Sequence, residues 1–109
     1  MNFQDYQKLS RQTAVYPQAG NNIVYPVLGL NGEAGEVAEK VKKVIRDKKG
    51  HFAKEDKKAI SKELGDVLWY IAQIATELDL DLNEIAKNNL QKLISRKKRG
   101  VLHGSGDNR

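Results

Sequence analysis

Four acidic side chains fall into two pairs with the same spacing, Glu33 with Glu36 and Glu63 with Asp66. On an α-helix a separation of three residues leaves side chains about 60° apart around the axis and within one turn along it, so each pair can offer both carboxylates to one ion. If the two pairs face each other, four carboxylates converge, and such a cluster repels itself at neutral pH until protons or cations neutralise it. The chain has no cysteine and only two histidines, so a metal here is held by oxygen. Oxygen-only sites take the hard cations magnesium, manganese or calcium, and magnesium keeps positions that waters and substrate phosphates fill. The acidic pairs therefore point to phosphate chemistry.

Helices must carry these pairs, and the Pro and Gly punctuation divides the chain into four helical periods with no strand pattern. The first is predicted from Phe3 to Val15, with Phe3, Tyr6 and Leu9 at helical spacing and Pro17 as its stop. A polar link, Gln18 to Asn22, leads to the second, which starts near Pro26, carries Leu30, Ala34, Val37, Val41 and Ile45, and ends at Gly50. The third spans Glu55 to Leu78 over six turns of apolar period. Asp81 caps the fourth, with Glu84 three residues on, and Gly100 closes it. Residues 100–109 form an irregular tail. The expectation is one all-α domain over residues 1–109, a four-helix bundle whose facing helices build the site. A domain of this size buries only about 60–65% of its unfolded surface, which favours self-association. No segment reads as a signal peptide or membrane span, so a cytosolic protein is expected.

Acidic pairs at this spacing also arise on solvated faces of a chain with 30% charged residues. Glu36 has Lys40 four residues on, a pairing worth about 0.2–0.5 kcal/mol on an exposed helix, and Asp66 has Lys62 four residues before it. Glu63 has no cation within reach on its own helix, so it is placed for something outside it. Gly32, Gly35 and Gly65 sit among the acids, each costing about 1 kcal/mol relative to alanine in a helix, and so indicate a crowded neighbour or room for a ligand. On the fourth helix Asn89, Lys92, Arg96 and Arg99 fall within about 80° of arc. Asn89 lies inside the apolar stripe, where a buried amide needs partners. These donors suit phosphates, although a basic last turn is also favoured by the helix dipole. Lys40 and Lys43 lie on the acidic flank, and the remaining lysines of that run read as a solvated surface. Tyr70 shares the acidic flank of its helix and is the candidate for stacking on a base. Trp69 points away from that flank, as an interface or core residue.

The segments Gly-Leu-Asn-Gly-Glu-Ala-Gly-Glu-Val-Ala-Glu at 29–39 and Lys-Glu-Leu-Gly-Asp-Val-Leu-Trp-Tyr at 62–70 resemble the MazG-like nucleotide pyrophosphohydrolases. The likeness extends to Tyr6 and Gln7, to Asn89 through Leu93, and to the ending from Arg99. It implies an all-α fold, magnesium dependence with manganese as a substitute, and cleavage of a nucleoside or deoxynucleoside triphosphate into monophosphate and pyrophosphate. It also implies homodimers or homotetramers. By position it makes Glu33, Glu36, Glu63 and Asp66 metal ligands and makes Asn89, Lys92 and Arg96 phosphate or sugar contacts, while Tyr70 lies near the base; Lys40, from its place on the acidic flank, joins the candidate substrate contacts. Glu36 and Glu63 are the candidate catalytic carboxylates, with Glu36 preferred as the group that accepts a proton from water. The net charge of +5 admits two other readings, a basic helical module that binds nucleic acid and an oligomeric adaptor whose acidic flanks form interface ion pairs. No recognisable DNA- or RNA-binding motif supports the first.

Overall fold

A computed structural model describes residues 1–109. Helix α1 (Phe3–Ser10) continues into one 3-10 turn (Arg11–Thr13), and three longer helices follow: α2 (Val24–Lys48), α3 (Lys54–Glu77) and α4 (Leu82–Lys98). The fold is all-α, as expected. Asn2 caps α1 by accepting from the Asp5 N–H at 2.8 Å, and Asp81 caps α4 by accepting from Asn83 and Glu84. Asp56 caps α3 by accepting from the Ala53 N–H. Lys49 and Gly50 both take left-handed backbone (φ 54° and 78°), and the Gly50 N–H returns to the Val44 carbonyl to end α2.

Two helix boundaries differ from the sequence reading. The first α-helix stops at Ser10 and does not run to Val15. The Ser10 and Thr13 hydroxyls donate to the carbonyls of Gln7 and Ser10, and such local side-chain bonds tighten a helix end into a 3-10 turn. The second begins at Val24, which puts Pro26 at its third position. The first turn has no internal partner for its N–H groups, so a proline fits there as well. The Asn22 side chain accepts from the Tyr25 N–H in that turn.

Helices α2 and α3 form the main hairpin. Their antiparallel register is fixed by three contacts: Gly29 lies against the Tyr70 ring, the Lys40 ammonium is 3.5 Å from Glu63, and Lys48 donates to both oxygens of Asp56 at 2.9 Å. Helix α1 packs on α3 and on α4. Gln7 fastens all three, donating to the Thr76 hydroxyl and the Leu80 carbonyl while accepting from the Leu82 N–H.

A polar network holds the connection between α1 and α2 against α3. The fully buried Gln73 accepts from Arg11 and donates to the Ser10 hydroxyl. Arg11 also donates to the Tyr16 hydroxyl, which in turn donates to Glu77 Oε1 at 2.8 Å, and the Gly20 N–H donates to that same oxygen. The Glu77 side chain is 1% exposed, with Arg11 3.5 Å from its second oxygen. Burial pushes the Glu77 carboxyl up, but the bonds from Gly20 and Tyr16 and the Arg11 charge outweigh it and hold it below the usual range.

The chain is open. Only eight residues are buried, and the radius of gyration of 16.9 Å exceeds the roughly 13 Å of a compact domain this long. The accessible surface of 7991 Å² compares with about 6,100 Å² for a compact monomer of this mass. Leu28, Ile45, Leu64, Leu90 and Ile94 are all more than half exposed. An apolar surface of this extent has no cover within the chain.

Glu77→Gln should lower stability at neutral pH by about 1–3 kcal/mol. Because the native carboxyl titrates below its unfolded value of about 4.3, its stabilisation is complete above that pH and is lost as pH falls through the native value. Glu77→Gln should therefore flatten the acid limb of a melting-temperature profile. Gly29→Ala would place a Cβ within 2.2 Å of the Tyr70 ring and should destabilise by about 1–3 kcal/mol in chemical denaturation. Gly65→Ala meets nothing within 4 Å and should stabilise by up to about 1 kcal/mol.

Candidate active site

The α2–α3 register sets Glu33 opposite Glu63 and Asp66, and one carboxylate oxygen from each lies within 4.8 Å of the other two. Glu33 and Glu63 are half-buried and Asp66 is exposed. The Glu33 carboxyl is held above the ordinary glutamate range. A hydrogen bond shared with Glu63 is the main cause, followed by burial and by the charges of Asp66, Glu63 and Glu36. The Lys40 ammonium, 3.5 Å from Glu63, relieves part of this crowding of negative charge.

Glu36 stands apart from the trio on the exposed face of α2. Its sequence partner Lys40 crosses to Glu63 instead. The cation that Glu63 lacks on its own helix is therefore supplied by α2. Lys62 makes no ion pair with Asp66.

Two tyrosines border the cluster. The Tyr70 hydroxyl is raised, by burial first and then by Tyr25, Glu33 and Asp66. Tyr6, on α1, is raised by burial and then by Asp66. Tyr70 occupies the space that Gly29 leaves and meets Trp69 edge-on at 5.1 Å between ring centroids. Trp69 points away, donating its indole N–H to the Thr13 hydroxyl and meeting Tyr16 edge-on, while Tyr16 stacks on Tyr25.

The donors of α4 are not brought to the acids within the protomer. Asn89 is exposed, contrary to its expected burial in the apolar stripe, because α4 leaves that stripe uncovered. Lys92 is exposed and makes no ion pair. Arg96 is buried at 5% exposure and donates to the Asp107 carbonyl. Arg99 donates to the Ser95 hydroxyl and the Arg109 carbonyl, and the Arg109 guanidinium reaches the carbonyls of Val101, Leu102 and Gly106. Arg96 and Arg99 thus fold the tail back on α4.

Tyr6 and Gly29 were not among the site residues expected from sequence. Tyr6 lies within the family likeness, but its proximity to Asp66 depends on how α1 docks. Among the glycines of α2 and α3, Gly29 has the crowded neighbour, whereas Gly32, Gly35 and Gly65 have nothing within 4 Å of a built Cβ. Those three glycines mark open space.

The donor set suits a hard divalent cation. Such ions bond to oxygen at about 2.0–2.6 Å, so opposite ligands stand roughly 4–5 Å apart, and three carboxylate oxygens within 4.8 Å match that span. No helix is long and apolar enough to cross a membrane.

The chain is 50% identical to the Gene 37 protein of Mycobacterium phage L5, over 95% of this chain and 96% of that protein. No solved structure matches it. The family model described as the MazG nucleotide pyrophosphohydrolase domain matches residues 26–101, a stretch that holds both acidic pairs, Lys40, Tyr70 and the basic face of α4. The chain therefore belongs to the MazG nucleotide pyrophosphohydrolase family.

Proposed function

We propose that the chain hydrolyses a nucleoside or deoxynucleoside triphosphate to the monophosphate and pyrophosphate, with magnesium or manganese held by Glu33, Glu63 and Asp66. The observation that carries this reading is the convergence of three carboxylates from two helices within a family defined by that chemistry. A divalent cation held by these carboxylates would neutralise phosphate charge and lower the pKa of a water for attack on phosphorus.

The chain's own residues divide the remaining work. Glu33, Glu63 and Asp66 are the ligands, and in the metal-free chain Glu63 pairs with the Lys40 ammonium. Glu36 lies one turn from Glu33, exposed and without an ion-pair partner, which leaves its carboxylate available to complete the ligand set or to accept a proton from the attacking water. Tyr70 offers a ring beside the cluster for the base. The open space over Gly32, Gly35 and Gly65 gives a triphosphate access to the acids.

Asn89 and Lys92 enter as substrate contacts through assembly. We assign the uncovered apolar surface to a homodimer or homotetramer. The excess of roughly 1,900 Å² over a compact monomer is of the order that each partner of a permanent interface buries. In such an assembly α4 of one copy supplies its polar face to the acids of another. A nucleic-acid module would give no role to the carboxylate trio.

Purified protein incubated with ribo- and deoxynucleoside triphosphates and magnesium should yield monophosphate and pyrophosphate on ion-exchange separation. Glu63→Gln should reduce turnover at least about a hundredfold with an unchanged far-ultraviolet circular dichroism spectrum. Diphosphate and phosphate as products would place the cleavage at the wrong bond for this reading. Light scattering coupled to size exclusion should give a mass of two or four chains, and Leu90→Asp with Ile94→Asp should lower it. A monomeric wild type would refute the shared site.

A further inference from the structure

Lys40 occupies two environments at once. Its ammonium is 3.5 Å from Glu63 Oε1, and the same side chain lines a cavity of about 190 Å³ between α2 and α3. That volume equals about six water molecules at ~30 Å³ each, enough for a phosphoryl group with part of its hydration.

The cavity's charges are mostly committed. Lys48 is bound to both oxygens of Asp56, and Asp47 is bound to Arg46 at 2.7 and 2.8 Å. Lys43 keeps only a long, exposed contact of 3.9 Å to Glu39. The cations left for an anion are therefore Lys43 and, once it leaves Glu63, Lys40. An ammonium and a divalent cation compete for the same carboxylate oxygens and repel each other at that distance. Lys40 is held by one partly exposed ion pair, which is weak enough to exchange.

We propose that Lys40 is an exchangeable counterion. In the metal-free chain it neutralises Glu63. On metal binding it leaves Glu63 and turns into the adjoining cavity, where with Lys43 it receives the terminal phosphates of the triphosphate. No covalent bond changes in this exchange. Loading of the acids and capture of the phosphates are thereby coupled through one side chain. The inference rests on the metal site of the proposed function and extends it to the phosphate subsite.

The test is isothermal titration of the full chain with Mn²⁺ alone and then, at saturating Mn²⁺, with inorganic tripolyphosphate. Lys40→Met should tighten Mn²⁺ binding about two- to fivefold, the worth of a partly exposed ion pair, and weaken tripolyphosphate binding by about tenfold or more. Lys40→Gln should do the same. Lys43→Met should weaken tripolyphosphate binding with little change for Mn²⁺ alone. Unchanged or weaker Mn²⁺ binding in Lys40→Met would overturn the exchange while leaving the metal site standing. Tighter Mn²⁺ binding with unaltered tripolyphosphate affinity would overturn the transfer to the cavity. A wild type that binds no Mn²⁺ would overturn the metal site and the exchange together.

Discussion

Gly29 has no side chain where the Tyr70 ring needs room, and at the other end of the same hairpin Lys48 grips Asp56. Between these two contacts the register of α2 on α3 is set, and the carboxylates depend on it. A slip of one residue along α2 would move Glu33 by 1.5 Å and rotate it by about 100°, enough to take it out of reach of Glu63 and Asp66. The site is thus a property of how two helices are aligned more than of any one residue. The buried network around Gln73 and Glu77 serves the same alignment from the other side, because it anchors the connection that delivers the chain into α2.

Much of this was legible in the residues. Three-residue spacing within each acidic pair predicted convergence, and Glu63 was marked by the lack of a cation on its own helix, which the structure answers with Lys40 from α2. The four helices were readable from apolar period and punctuation. What escaped depends on contacts between segments far apart in the chain. Gln73 sits within an apolar period, and only the arrival of Arg11 and Ser10 explains an amide at that position. Asn89 was expected to be buried on the assumption that the bundle closes within one chain, and it does not. Glu36 falls outside the tight trio although Asp66, at the same spacing on α3, falls inside it, so spacing along one helix does not by itself decide which carboxylates meet.

The open packing of the chain and the open glycine face share a physical origin. A chain of 109 residues has too little apolar volume to wrap its longest helices on every side, so the same exposure that leaves Leu90 and Ile94 in solvent leaves access above Gly32, Gly35 and Gly65. The uncovered apolar side chains and the open glycine face therefore have a common cause.

The chain contains one tryptophan. Trp69 is held by a hydrogen bond to Thr13 and touches, edge-on, the tyrosine that borders the carboxylates. An indole in that position senses any movement of the Tyr70 ring and any change in the field of Glu33 and Asp66, so intrinsic fluorescence serves as a single-residue optical reporter of the site without a label.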